Sequence, residues 1–346
     1  MSNAAQNNRI QYVDVLRVIA AFAVVVIHVC DRFFSETDLT GLDWNVMNFY
    51  DSLSRFAVPV FVMISGALFL NPDRELSIKK LYSKNILRIV TAFVFWSAIY
   101  AFVTAEGTGE RVNAFLKGPT HFWYVFVVVG LYICTPILRE IAKDDKLLRY
   151  FLIAAFVTAV LIPCVLEVVS FEPLDYVYKK AQLKLFSGYS GYFLLGYYLS
   201  KLRLKKRYML LFAAAGIGGF VVTVIGTRFF SLRNGTAFES LYSNFTPNVL
   251  AQGIAVFMFV RMALEKREFR EDSPVWQTIG FFAKNSFGIY LIHILVLSLT
   301  ERYLHFTAMS FSPILSVPIL ALSAFLLSCA VSFCLKKIPI VNRYIV

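Results

Sequence analysis

The fold is decided by a stretch near the start of the chain, YVDVLRVIAAFAVVVIHVCD (residues 12–31). An α-helix rises about 1.5 Å per residue, so a helix of this length spans about 30 Å, the thickness of the hydrocarbon core of a bilayer. Only Asp14 and Arg17 interrupt its apolar character before the last residues. The stretch therefore predicts a helix that crosses a membrane.

The same pattern recurs along the whole chain. Of its 346 residues, 58% are hydrophobic and only 16% are charged, whereas soluble proteins carry about 25% charged residues. Apolar runs bounded by charges predict ten spans. These are 12–31, 55–71, 84–104, 121–138, 148–169, 187–201, 208–228, 246–263, 279–299 and 313–335. We expect an all-α integral membrane protein, a bundle of about ten transmembrane helices.

Lysine and arginine are distributed unequally between the two sides that this threading defines. An even number of spans puts both termini on one side, whose segments carry 23 of these residues against 9 on the other. Because positively charged loops stay in the cytoplasm, we expect both termini to be cytoplasmic and the protein to contact membrane lipids. The distribution also explains the net charge of +12 without a nucleic-acid partner. A single polytopic domain is expected over residues 1–346, with 1–11 as a tag remnant and cytoplasmic lead-in.

The sequence contains no pattern of metal ligands. Its five cysteines fall inside or at the edges of apolar runs, with no CxxC pair and no Cys/His cluster at metal-ligand spacing. A phosphate-binding G-x-x-x-x-G-K-[ST] loop is also missing. We predict no metal site, no tightly bound cofactor and no ATP-driven role.

Ionisable residues inside the first span are a strong functional signal, because charged groups in a bilayer usually face a cavity or a partner. Arg17 and His28 are eleven residues apart, which is about 20° past three helical turns, so both point in one direction about 16 Å apart along the axis. Asp14 and Asp31 stand three residues outside this pair, at a spacing that allows helical side chains to interact. Alone, an Arg at this depth is more often a membrane anchor, and a His is as often a helix-packing residue as a catalytic one. Together they predict a functional polar stripe.

Several motifs, in order, resemble those of the bacterial membrane acyltransferase 3 family. They are the Arg and His of residues 12–28, SRFAVPVF (54–61) with ISG (64–66), HFWY (121–124) with Pro136, GYFLLG (191–196) and SFGIYLIH (286–293). The resemblance covers nearly the whole chain. It implies a multi-pass enzyme of the bacterial plasma (inner) membrane that takes an acyl group from cytoplasmic acetyl-CoA, as co-substrate, to a hydroxyl of an extracytoplasmic or lipid-linked glycan.

The direction of the helices places three cations, Arg17, Lys84 and Arg88, at the cytoplasmic end. Such a cluster suits the phosphates of acetyl-CoA, through charge-assisted hydrogen bonds. Lys84 and Arg88 also stand where positive-inside anchors are expected. The distance of about 16 Å from Arg17 to His28 matches an extended pantetheine arm, which would present the thioester at His28.

The predicted catalytic residues lie in the outer half of the bundle. In the simplest mechanism His28, oriented by Asp31, is the general base for the acceptor hydroxyl, and Arg55 stabilises the oxyanion. A covalent acyl-imidazole on His28 is an open variant.

Three further residues of the outer half, His121, Trp123 and His293, are predicted to bind the acceptor. Trp123 also suits an interfacial aromatic belt, and His293 suits helix packing. The segment 32–54 is expected to be an outer loop that contributes to the acceptor rim.

A transporter is the alternative hypothesis. His28 and Asp31 would then form a proton relay in a proton-coupled carrier or in a glycan or amino-acid permease. The inner cationic cluster and the lack of a visible internal repeat favour the enzyme.

Overall fold

The structure is a computed structural model and describes residues 2–73, 75–105, 107–169, 171–264 and 273–346. These residues form helices and connecting segments, with no strand among them. This follows from the apolar sequence, because a helix satisfies its own backbone hydrogen bonds within lipid. The predicted all-α membrane bundle is confirmed.

Sixteen α-helices follow one another along the described ranges of the chain. They are α1 (Ser2–Phe34), α2 (Leu42–Ser54), α3 (Ala57–Phe69), α4 (Ile78–Lys80), α5 (Leu87–Thr104), α6 (Thr108–Lys117), α7 (Trp123–Lys143), α8 (Asp145–Ala155), α9 (Ile162–Val169), α10 (Glu172–Ala181), α11 (Leu183–Lys201), α12 (Tyr208–Asn234), α13 (Pro247–Leu264), α14 (Pro274–Leu304), α15 (Pro313–Lys336) and α16 (Pro339–Tyr344). Two π-helical segments, Leu81–Ile86 and Phe156–Leu161, join α4 to α5 and α8 to α9. Short 3-10 helices cover Thr120–Phe122 and Ser240–Tyr242.

Nine helical segments in the described ranges are long and apolar enough to cross a membrane. The remaining predicted span, the sixth at 187–201, corresponds to α11, a helix of 19 residues and therefore about 28 Å long. It is less apolar than the others, and its middle is packed inside the protein, with Tyr192, Phe193 and Leu194 buried. A helix surrounded by other helices need not match lipid, which explains why α11 carries the weakest apolar signal.

The second span differs from the prediction. It is expected at 55–71, with an outer loop before it, but the structure has a broken span of two helices, α2 and α3, over Leu42–Phe69. The loop prediction for 32–54 is therefore wrong over α2. The polar residues that suggested a loop, Asn48, Asp51 and Ser52, are buried against the neighbouring helices. Their hydrogen bonds and ion pair within the protein, not exposure to water, account for the polar sequence.

The start of α1 and the end of α15 lie at the same end of the bundle. Lys336, the last residue of α15, donates to the carbonyl of Lys284 near the start of α14, and Lys284 acts electrostatically on Asp14 of α1. An even number of crossings requires this arrangement. The charge distribution predicts that this end faces the cytoplasm. Four of the cations counted there, Arg74, Lys266, Arg267 and Arg270, lie outside the described residues.

Helices α3 and α11 pack with their backbones in contact. A Cβ atom added at Gly66 would overlap the carbonyl of Phe193, and one added at Gly196 would overlap that of Met63. Small residues allow such close approach between membrane helices. This contact fixes α3 beside the cavity described below.

Candidate active site

A cavity of about 740 Å³ extends between α1, α3, α5, α7 and α14. Arg17 and His28 of α1 both line it, and α1 runs without interruption from one to the other. The stripe predicted from their spacing therefore faces one continuous space. Its size is within the range typical of small-molecule sites, about 300 to 1,000 Å³.

One end of the cavity is strongly cationic. Five cations line it, and none of its described lining residues is acidic. They are Arg17, Lys84, Arg88, Lys284 and Arg343. Arg17 has a partner in Asp14, with 3.4 Å between the guanidinium and the carboxylate, as the spacing of three residues predicted. The remaining excess of positive charge is suited to a polyanionic ligand.

The π-helical segment Leu81–Ile86 shapes this cationic end. It presents Ser83, Lys84 and Asn85 to the cavity, and π-bulges are frequent at functional sites because they displace side chains from the regular helical pattern. Arg88 follows one turn later, where it donates to the carbonyl oxygen of Val346 and stands 5.5 Å from the ring centre of Phe287.

Three histidines meet at the other end. The ring centroid of His28 is 6.0 Å from that of His121 and 5.2 Å from that of His293, and the last two rings are 5.1 Å apart. His28 and His121 line the cavity. His293 is fully buried behind them and does not reach the cavity wall, so the structure does not place it as a residue that touches an acceptor. No group of three His, Cys, Asp or Glu residues in the described ranges could hold a metal ion.

The polar atoms of this cluster are incompletely paired. His293 Nδ1 is 3.1 Å from the carbonyl oxygen of Ile289 and 2.7 Å from that of Tyr290. Its Nε2, and both ring nitrogens of His121, are buried without a hydrogen-bond partner in the described part of the chain. Buried polar atoms without partners are rare. Those of His121 belong to a residue of the cavity wall.

The structure places Arg55 outside the cavity lining. Its guanidinium forms an ion pair with Asp51, whose side chain is fully buried, and stands 3.9 Å from the ring centre of Tyr242. Arg55 acts electrostatically on His28, but it is committed to the junction of α2 and α3. The predicted contact between Arg55 and a thioester oxyanion is therefore absent from this geometry.

Asp31 is not placed to orient His28. It is exposed near the outer end of α1, and no hydrogen bond joins it to His28 among the residues that the structure describes. Helical spacing permits this contact, but Asp31 is exposed, whereas the ring of His28 lies against that of His293 of α14. The proton relay between them that the transporter hypothesis needs has no geometric basis in this arrangement.

An aromatic wall continues the cavity at the histidine end. Trp123 lines the cavity but keeps 42% of its surface exposed, and its ring centre lies 5.8 Å from that of Tyr189. Asn244 donates to the Tyr189 hydroxyl at 3.0 Å. Trp123 is thus at the exposed edge of the cavity, and its binding of an acceptor stays a prediction.

Sequence reasoning missed several residues of the site. Lys284 and Arg343 line the cationic end, and both were counted only as topology signals. Asp51 was assigned to a loop, although its spacing of four from Arg55 is the spacing of a helical ion pair. The spacing of four residues between Asp51 and Arg55 is the signal in the sequence that indicates a helix there.

The family of the chain follows from the comparisons with known proteins. A family model described as an acyltransferase domain, that of acyltransferase 3, matches residues 10–333. No curated protein matches the chain. No solved structure matches it either. The model covers nearly the whole sequence, including the spans that bear Arg17, His28, His121 and His293. The chain therefore belongs to the acyltransferase 3 family, and it is a multi-pass membrane acyltransferase.

Proposed function

We propose that the protein transfers an acetyl group from cytoplasmic acetyl-CoA to a hydroxyl of an extracytoplasmic or lipid-linked glycan, in a bacterial plasma membrane. One observation carries the proposal. A single cavity joins five cations at one end to His28 and His121 at the other. Acetyl-CoA has a matching division of charge, with phosphates at one end and an uncharged thioester at the other.

The cationic end supports the orientation of the donor. Arg17 and Lys284 come from different helices, α1 and α14, and with Lys84 and Arg88 they surround the same end of the cavity. Guanidinium groups bind phosphate oxygens through paired, charge-assisted hydrogen bonds. A nucleotide held at this end leaves the pantetheine arm to cover the distance of about 16 Å to His28 along α1.

At the histidine end, His28 accepts the proton of the acceptor hydroxyl while the hydroxyl oxygen attacks the thioester carbon. The new carbon–oxygen bond gives a tetrahedral intermediate. The carbon–sulfur bond then breaks, and His28 returns its proton to the departing CoA thiolate. The protein ends the cycle as it began, and every proton transfer of this scheme runs through one side chain.

His121 takes the role of oxyanion donor for which Arg55 is badly placed. A neutral imidazole has one N–H and can polarise a carbonyl. His121 lines the cavity with its ring centroid 6.0 Å from that of His28, so that one carbonyl on the cavity side of the pair is within reach of both rings. Its unpartnered ring nitrogens supply the required hydrogen bond without breaking another.

The proposal is tested by acetyl-CoA binding to the purified protein in nanodiscs, with free CoA as competitor. Loss of one charge-assisted hydrogen bond is worth about 1.5–3 kcal/mol, so Arg17→Ala is expected to weaken binding about ten- to hundredfold. His28→Ala should bind within a few-fold of wild type and abolish transfer, followed as release of the CoA thiol in the presence of envelope glycans. Arg207→Ala, an exposed cation just before α12 that does not line the cavity, is the matched control.

Two results contradict the proposal. One is the absence of saturable acetyl-CoA binding to a protein that is shown to be folded. The other is equal and negligible effects of Arg17→Ala and His28→Ala on binding and transfer. Either result favours proton-coupled transport, which uptake into vesicles would then measure.

A further inference from the structure

A buried hydrogen-bond acceptor without a donor lies directly behind the proposed catalytic base. The Nδ1 atom of His293 faces the carbonyl oxygens of Ile289 and Tyr290, at 3.1 and 2.7 Å. Carbonyl oxygens only accept, so Nδ1 carries the hydrogen, and Nε2 of the neutral ring carries a lone pair. That Nε2 is fully buried and has no partner within the described ranges.

Only an N–H or O–H donor close to the ring can satisfy this atom. The Tyr290 ring is 6.2 Å away, centroid to centroid, but its hydroxyl donates to the carbonyl oxygen of His121. The ring of His28 is 5.2 Å away, centroid to centroid, and tilted by 40°. No nitrogen of His28 bonds to Nε2 in this orientation. A rotation that turns the two nitrogens towards each other at this spacing brings them about 3 Å apart, the length of a hydrogen bond. The ring of His121 is at a similar distance, 5.1 Å. In the proposed mechanism, however, the single N–H of His121 is used by the thioester oxygen. The N–H of His28 remains.

His28 in turn needs an acceptor. A histidine that works as a base must present the lone pair of one nitrogen to the reacting hydroxyl, and a hydrogen bond from the other nitrogen fixes that tautomer. In many hydrolases a carboxylate accepts this bond. In this protein Asp31 is exposed and forms no hydrogen bond to His28 in the described part of the chain, and the charged group that acts on His28 is the cation Arg55.

We propose that His293 is the positioning residue for His28: its Nε2 accepts the N–H of His28 and thereby holds the lone pair of the other His28 nitrogen towards the cavity. The catalytic consequence rests on the proposed function, but the hydrogen bond itself does not. When His28 takes the acceptor proton, the bond to His293 stabilises the imidazolium. The proton then leaves to the CoA thiolate, and His293 keeps its own proton on Nδ1 throughout.

The number of histidines makes this directly measurable. The chain has four, His28, His121, His293 and His305, so protein labelled with 15N-histidine in lipid bilayers gives a small set of imidazole signals that report which nitrogen carries the hydrogen. Single substitutions assign them. His305→Asn, at an exposed position outside the cluster, is the control and should change only its own signal.

Two substitutions at His293 separate positioning from packing. In His293→Asn the side-chain amide nitrogen takes the place of Nδ1 and keeps the bonds to Ile289 and Tyr290, but no atom occupies the place of Nε2. In His293→Gln the amide oxygen reaches the place of Nε2 as an acceptor, but the bonds to the two carbonyls are lost. A packing role makes Asn the milder change. A positioning role makes Gln the milder change.

The expected result is a single dominant tautomer of His28 in wild type and in His293→Gln. In His293→Asn the tautomer ratio should move about fivefold towards the other form, the equivalent of about 1 kcal/mol for one neutral hydrogen bond. With acetyl-CoA and acceptor present, His293→Asn should lower kcat about tenfold with donor binding unchanged. The inference is overturned if His28 keeps its ratio in both variants, if both change it equally, or if the signals of His121 move instead. If the tautomer ratio of His28 shifts as expected but acetyl-CoA does not bind, the proposed function is refuted and the hydrogen bond between His28 and His293 is not.

Discussion

Replacement of Asp51 or Arg55 should act on the stability of the fold rather than on the chemistry of transfer. The two side chains form an ion pair at the break between α2 and α3, with 0% of the Asp51 side chain and 17% of the Arg55 side chain exposed. Arg55 also stands over the ring of Tyr242. Asp51→Ala would leave the guanidinium buried beside that ring without a counter-charge.

The size of the effect follows from this burial. Removing one partner of a buried ion pair typically costs about 3–5 kcal/mol, because the other charge stays desolvated. One atom of each partner, Asp51 Oδ1 and Arg55 Nε, is already without a hydrogen bond in the described structure, so the pair is not optimal and the lower end, about 3 kcal/mol, is expected. The double variant Asp51→Leu/Arg55→Met removes both charges together and should be much less destabilised than the sum of the single variants.

The free energy of unfolding is measured for both single variants and the double variant in mixed micelles with increasing SDS, and the double-mutant cycle gives the coupling energy. Lys143→Ala is the control, because Lys143 forms an exposed ion pair with Glu140 and such pairs contribute only about 0–1 kcal/mol. The reasoning is refuted if Arg55→Ala unfolds like wild type and binds acetyl-CoA normally but no longer transfers. Arg55 would then be the oxyanion donor that the sequence indicated.

Three further outcomes are expected. Gly66→Ala should lower the free energy of unfolding by about 1–3 kcal/mol, because its Cβ meets the backbone carbonyl of Phe193, whereas Gly130→Ala, with open space around it, should be neutral or stabilising in the same SDS titration. Lys284→Ala should weaken acetyl-CoA binding about two- to tenfold with kcat retained, since one cation of several is lost; unchanged affinity would remove Lys284 from the donor site. Asp144 caps α8 by accepting from the backbone N–H groups of its first turn, and these bonds lower its pKa below the usual 3.8. Its stabilisation should therefore be present above pH 3.8 and disappear as the pH falls through the lowered value, so thermal unfolding of wild type and Asp144→Ala should differ at pH 7 and converge in acid.

The spans were predictable where a helix surface faces lipid, because apolar side chains are favoured there. Helices such as α12 and α15 expose much of their surface, so their sequences are apolar all along. The prediction of α2 failed because its polar side chains pack against other helices instead of lipid. In α2 the buried Asn48 accepts from Ser52 at 3.1 Å and from Tyr242 at 2.7 Å, a network whose members are 4 and 194 residues apart in sequence. Local sequence patterns do not identify Tyr242 as the hydrogen-bond partner of Asn48. Without that partner, the polar composition of the segment is typical of a loop.

In the site, too, contacts within one helix could be predicted from the sequence, whereas contacts between helices could not. The alignment of Arg17 with His28 follows from helical geometry alone, and both residues line the cavity. The partner of His28 was inferred from local spacing as well, and there the inference failed. The structure brings α14 against α1, so that His293 rather than Asp31 lies behind the ring of His28. A contact between two helices so far apart in sequence depends on the packing of the whole bundle.

The charge of the proposed CoA donor gives a physical reason for a histidine in this position. A thioester of CoA carries several negative charges, and the described lining of the cavity contains five cations and no carboxylate. A carboxylate behind His28 would add a buried negative charge at the end of this space, unscreened by water, where it would repel an anionic donor. A neutral imidazole accepts the same hydrogen bond without that charge. The buried carboxylate of Asp51 is neutralised by Arg55 outside the cavity. The proposed arrangement would thus give His28 an acceptor without adding a negative charge that opposes the cationic end of the cavity.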